Sequence, residues 1–191
     1  MNTVGKSIRH CVVLGALLGA PMLAHAGLAG DQISWQYYAY GDPYVTGGSP
    51  GEFVAGLTED HFADLSANYF TVSGNDSQII FDEFGAPSPW SPSVVSLDDA
   101  GLFIRNGVLL YNFDAPITNV FIDASTNMVG MTLDRITYTS AAIAIDWTEV
   151  GYPTPGGRLV LNVSVVPEPS SALMLGAGVL LIGSLLRRRR D

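Results

Sequence analysis

The sequence predicts an all-β body, an antiparallel β-sandwich of jelly-roll-like type, framed by a secretion signal and an apolar C-terminal segment. Three observations carry the β assignment. Residues 27–166 hold a series of short stretches rich in β-branched and aromatic residues. Gly, Pro, Asn, Asp or Ser bound most of them. These turn signals recur about every ten residues, the spacing of a sandwich. No repeat of fixed period is visible.

Residues 1–26 have the build of a secretory signal peptide. Lys6 and Arg9 make a basic start, an apolar run follows from position 11 to 24, and Ala24-His25-Ala26 places small residues where signal peptidase reads them. Cleavage is expected before Gly27. A retained anchor is disfavoured because the run is short and interrupted by Pro21. A lipoprotein signal is disfavoured because Ile8-Arg9-His10 precedes Cys11. Cys11 is the only cysteine, so the mature chain has no disulfide, thiolate nucleophile or cysteine-based metal site.

The strand signals then follow in order: ISWQYYAY (33–40), ANYFTVS, SQIIFDEF, GLFIR, VLLYNF, ITNVFIDAS, MTLDRITYT, AIAIDWTEV and RLVLNVSVV. Several alternate. Val120, Ile122 and Ala124 oppose Phe121 and Asp123, and Ile143 and Ile145 oppose Ala144 and Asp146. Asn106-Gly107 lies between two apolar runs and predicts a type I′ hairpin turn, since both central residues of that turn need φ > 0. GAPSPWSPS (85–93) and YPTPGG (152–157) are proline-rich and predict loops. One stretch departs from the pattern. In TEDHFADLSANY (58–69), Thr58 precedes two acids and Phe62 and Leu65 stand three apart, which predicts a short helix of one to two turns.

After Val166 comes Pro167-Glu168-Pro169, then 17 uncharged, mostly apolar residues (170–186), then Arg187, Arg188, Arg189 and Arg190. The two prolines fix φ and remove N–H donors, so this segment neither extends a strand ladder nor joins a helix. The apolar run is at the short end of a membrane-spanning helix. The arginines place its far end in the cytoplasm and the body outside. A buried core helix would strand four arginines against a hydrophobic core. The combination of VPEP, apolar helix and RRRR, behind a signal peptide, resembles the PEP-CTERM sorting signal of Gram-negative, exopolysaccharide-producing bacteria. The resemblance covers the last 25 or so residues and none of the body. It implies an exosortase, an integral membrane enzyme, as processing partner, with Pro167, Glu168 and Pro169 as the recognition positions. Anchoring before processing, then a cell-surface or extracellular location, follow as expectations.

Charge limits what the body binds. Residues 27–166 carry sixteen carboxylates against Arg105, Arg135 and Arg158, a net of −13. That field repels phosphate backbones and so excludes nucleic acid as a partner. It also disfavours anionic lipid surfaces, while permitting Ca²⁺ and, more simply, solubility.

Catalytic motifs are sparse. His61 is the only histidine outside the signal, so a His-rich zinc site cannot form. Gly47-Gly48-Ser49-Pro50-Gly51 matches G-x-S-x-G, but Pro50 removes the backbone donor that a nucleophile elbow uses for its oxyanion hole. A flexible turn is the better reading. Asp82-Glu83 and Asp98-Asp99 could serve a Ca²⁺ site or a glycosidase pair; Asp76, Asp82 and Asp98 are the candidate calcium ligands. Among Trp35, Tyr37, Tyr38, Tyr40, Trp90 and Trp147, the loop residue Trp90 is the candidate for stacking on a sugar face, whereas Trp147 reads as core. These observations favour an exported envelope or extracellular-matrix protein. Its body would be a non-catalytic structural or polysaccharide-binding module that needs no cofactor. A small secreted hydrolase using paired carboxylates is the alternative.

Overall fold

The computed structural model describes residues 27–63, 68–85, 88–153 and 156–166. Over those residues the chain is almost wholly β. The first strands in chain order are β1 Gln32–Ala39, β2 Asp42–Pro43, β3 Gly51–Val54, β4 Glu59–Ala63, β5 Asn68–Gly74 and β6 Gln78–Asp82. There follow β7 Leu97–Asp99, β8 Leu102–Ile104, β9 Gly107–Tyr111, β10 Ile117–Ile122, β11 Ile136–Tyr138, β12 Ala142–Asp146 and β13 Leu159–Val165.

Two antiparallel sheets, consistent with a β-sandwich, divide most of these strands. The first runs β11-β12-β9-β1-β2, with β3 also paired to β1; the second runs β10-β13-β6-β5-β4. Register explains which side chains face inward. Trp35 lies opposite Leu110, which lies opposite Ile143; Tyr37, Val108 and Ile145 form the parallel row two residues along. Because side chains alternate with a period of two, both rows share one face. In the second sheet Val72, Phe81 and Leu159 form the corresponding row. Every residue of β12 is buried, as a central strand demands. Rings join the layers: Phe70 of β5 packs edge-on against Trp35 of β1 at 5.4 Å and against Trp147 at 5.5 Å, and Phe81 meets Trp147 at 5.6 Å.

Three expectations are corrected. Residues 59–63 form strand β4 rather than the start of a helix, paired to β5 through Phe62 opposite Phe70. The three-residue spacing to Leu65 misled, because alternation puts Asp60 and Phe62 on one strand face and both are used there. Asn106-Gly107 is not a hairpin turn. Neither residue has positive φ, and β9 pairs with β1 and β12, not β8. The hairpin in this region is β7–β8, where Ala100 (φ 51) and Gly101 (φ 84) supply the left-handed pair that a type I′ turn needs. MTLDRITYT opens with a 3₁₀ turn, Leu133–Arg135, the helical element among the described residues, before β11 begins. Within the second sheet β4, β5 and β6 are consecutive neighbours, and β13 returns beside β6.

The expected membrane helix (170–186) lies outside the described residues. None of the helices described is long and apolar enough to cross a membrane.

Candidate functional site

The sorting positions Pro167, Glu168 and Pro169 and the arginines 187–190 lie outside the described residues, as does the signal 1–26. The body can be followed to their doorstep. Strand β13 ends at Val165, and the next residue, Val166, donates its N–H to Pro116 O at 2.9 Å. Among the described residues, the hydrogen-bonded Val166 therefore stands immediately before Pro167 in sequence.

The candidate calcium ligands do not meet. Asp76 sits in the β5–β6 turn, Asp82 ends β6, and Asp98 lies on β7 opposite Phe103. Among the described residues no group of three Asp, Glu or His side chains is gathered for a metal ion. Trp90 is also corrected. It is 3% exposed and stacks on Trp147 at 5.2 Å with a 22° interplanar angle, so no ring face is free for a sugar. Its loop is strapped down by backbone pairing: Trp90 N–H donates to Val150 O, and Glu149 N–H donates to Trp90 O, both at 3.0 Å. Trp147 is core, as expected. Tyr40 is the one of the six aromatics that stands well exposed.

Ser49 is buried, and its Oγ accepts from Tyr37 N–H at 3.0 Å and from Gln36 Nε2 at 2.8 Å. It helps lock the start of β3 to β1 and is not presented as a nucleophile. His61 faces solvent on β4.

Among the described residues, two of the clefts gather charged side chains. The first, of about 460 Å³, is lined by Asp82, Glu83, Phe84, Gly85, Gly156, Gly157 and Arg158. Successive strand residues normally point to opposite faces. Here Glu83 has φ 54, which breaks the strand and brings both acids to one cleft. Thr71 Oγ1 donates to Glu83 Oε2 at 3.0 Å and holds that carboxylate. Burial raises the pKa of Asp82, with Glu83 and Glu59 adding to the rise and Arg158 opposing it. A carboxyl biased toward its protonated form beside a second carboxylate is the raw material of acid–base chemistry.

The second cleft, of about 240 Å³, is lined by Phe103, Arg105, Asp134, Arg135, Thr137 and Asp146. It forms where the β7–β8 hairpin meets the edge of the first sheet, tied by Phe103 N–H to Thr137 Oγ1 at 2.9 Å. Arg135 Nη1 donates to Thr148 O at 2.8 Å, and the Arg105 guanidinium lies 5.7 Å from the Phe103 ring centroid. Sequence reasoning missed this site. The available signal was the scarcity of cations in the body, which makes any two of them in one place informative.

Comparison with known proteins bears on the C-terminal region alone. No curated protein matches the chain, and no solved structure matches it. The family model for the PEP-CTERM protein-sorting motif matches residues 165–190, beginning at the last residue of β13. The chain thus carries a PEP-CTERM protein-sorting motif attached directly to a β-rich domain.

Proposed function

We propose that the chain is an exported cell-envelope or extracellular-matrix protein whose delivery is controlled by its C-terminal motif. The observation that carries this reading is the family match at residues 165–190. The motif implies processing by an exosortase-type membrane enzyme. In this reading signal peptidase cleaves before Gly27, and residues 170–186 hold the protein in the membrane with the body outside. Arg187, Arg188, Arg189 and Arg190 keep the far end in the cytoplasm. The exosortase then acts at Pro167, Glu168 and Pro169. The body is a non-catalytic structural or polysaccharide-binding β-sandwich. Its large aromatics are spent on the core, which supports a structural role. Fractionation with intact-mass measurement tests the route. A mature protein lacking residues 1–26 and shortened near Pro167, found outside the inner membrane, is expected. A full-length tail on the surface-located protein would overturn the reading.

One observation favours a second reading, a glycosidase-like hydrolase: Asp82 and Glu83 line the same cleft, and burial biases Asp82 toward its acid form. Glycosidase assays on the purified protein decide it. Turnover abolished by Asp82→Asn would establish the enzyme, and absence of turnover across a broad glycoside panel would remove it.

A further inference from the structure

We infer that the cleft between the β7–β8 hairpin and the 3₁₀ turn binds a saccharide unit bearing a single carboxylate, a uronic-acid residue within an otherwise neutral chain. The inference rests on the polysaccharide-binding reading above and assigns it a place.

The placement of charge is the first argument. The body holds three cations against sixteen acids, and two of the three, Arg105 and Arg135, line one small concavity. Solubility does not require convergence; recognition of a carboxylate does, since each guanidinium offers a planar fork of donors matched to its two oxygens.

Pre-organisation is the second. The Thr148 carbonyl holds Arg135 and the Phe103 ring backs Arg105, so less side-chain freedom is lost when a ligand arrives. The two acids of the cleft are largely engaged elsewhere. Asp146 Oδ1 accepts the N–H groups of Arg105, Asn106 and Thr148 and the Thr148 hydroxyl. Asp134 has its pKa lowered, chiefly by the Thr132 side chain, and stays an ionised acceptor. Their remaining lone pairs serve as acceptors for sugar hydroxyls beside an aromatic wall, which is what a hydroxylated ring needs.

Size and surroundings select within the class. At about 240 Å³ the concavity is smaller than the roughly 300–1,000 Å³ pockets that take drug-sized ligands, which favours a single small group over a long segment. Beyond the cleft the body is strongly acidic, and screening extends only about 8 Å at physiological salt. An isolated carboxylate can be placed against the two guanidinium groups, with Asp134 and Asp146 left to the sugar hydroxyls, whereas a dense polyuronate also brings charges against those acids and the acidic surface beyond.

The test uses the processed, full-body protein and measures binding of three probes. These are a neutral xylotetraose, a xylo-oligosaccharide carrying one glucuronic acid, and polygalacturonate. Wild type is expected to bind the mono-uronate at least about tenfold more tightly than the neutral chain, the scale of a charge-assisted contact. Polygalacturonate is expected to bind no better, per residue, than the neutral chain. Arg105→Gln and Arg135→Gln should each abolish the preference. Arg158→Gln, an equal charge change in the other cleft, should leave it intact. Arg105 is exposed, so its variant keeps the core even where Arg135→Gln disturbs the Thr148 contact. Saccharide binding without uronate preference, preference for polygalacturonate, or equal loss in Arg158→Gln would overturn this site and leave polysaccharide binding standing elsewhere. No binding to any saccharide would end both.

Discussion

Trp35 Nε1, on the first sheet, donates a 2.9 Å hydrogen bond to Asp60 Oδ2 on the edge strand of the second. The same oxygen accepts the N–H of Glu52, so one carboxylate ties β1 and β3 to β4. Trp35 is fully buried, and losing its acceptor leaves an indole N–H without a partner. Asp60→Ala is expected to cost about 1–3 kcal/mol in urea unfolding, the penalty of an orphaned buried donor. Asp60→Asn, which keeps an acceptor oxygen, should cost less. Equal stability of Asp60→Ala and wild type would show that the clasp contributes nothing.

The stack of Trp90 on Trp147 makes a different forecast from the sugar-contact reading. Removing a buried tryptophan forfeits both burial and packing, so Trp90→Ala should destabilise by about 3–5 kcal/mol, and Trp90→Phe by less. Saccharide binding per folded molecule should stay unchanged in Trp90→Phe. A specific loss of binding at unaltered stability would instead return Trp90 to the surface role.

Strand content was legible in the sequence because the strand stretches of the body obey local rules: β-branched and aromatic composition, and breakers at the ends. Trp90 shows where local rules stop. Three prolines announced a loop, and a loop it is, but whether a loop residue is buried depends on the partner segment. Here that partner is Glu149–Val150, some sixty residues away. The arginine cleft was illegible for the same reason, since Arg105 and Arg135 are brought together only by docking the β7–β8 hairpin on β11. The sorting motif lies at the other extreme. Its parts are contiguous, so proline chemistry, apolar length and terminal charge could be read directly.

Asn106-Gly107 yields a prediction from a mistaken signal. Asn106 is buried: its Oδ1 accepts from the Tyr37 hydroxyl, and its Nδ2 donates to Ser91 O at 2.9 Å. Gly107 is required by close approach, because a Cβ there would lie 1.8 Å from Ile145 O. Gly107→Ala must therefore move β9 away from β12, and is expected to leave little soluble folded protein. At the true turn, Gly101→Ala faces open space and only the strain of its positive φ, about 1 kcal/mol. Thermal melts of the two variants separate these mechanisms, and a mild Gly107→Ala would refute the crowding argument.

Asp123 gives the domain one source of acid sensitivity. The Asn162 amide, then the N–H and hydroxyl of Ser125, hold its carboxylate and depress its pKa to about 2. An unfolded aspartate titrates near 3.9. The stabilisation is therefore complete above about pH 4 and disappears as pH falls through about 2. Asp123→Ala should lower the melting temperature at pH 7, and the gap to wild type should close on titration to pH 2. A gap independent of pH would mean the residue acts through packing alone.

Asp82 should behave with the opposite slope. Burial raises its folded pKa, so the folded state holds the proton more tightly than the unfolded chain does. Below about pH 4 both states are protonated and no penalty exists. As pH climbs through the window above that value, the unfolded state ionises first and stability falls. Asp82→Asn is then expected to melt higher than wild type at pH 7 and equally at pH 3. The sign carries information about function. Burial and a neighbouring carboxylate raise the Asp82 pKa in a cleft it shares with Glu83, and carboxyls perturbed in this way concentrate where chemistry or binding uses the group. If Asp82→Asn gains stability while a glycosidase or saccharide-binding activity is lost, the cleft is the working site. If it gains stability and loses nothing, the Asp82–Glu83 pair is set aside and the arginine cleft stands as the body's candidate.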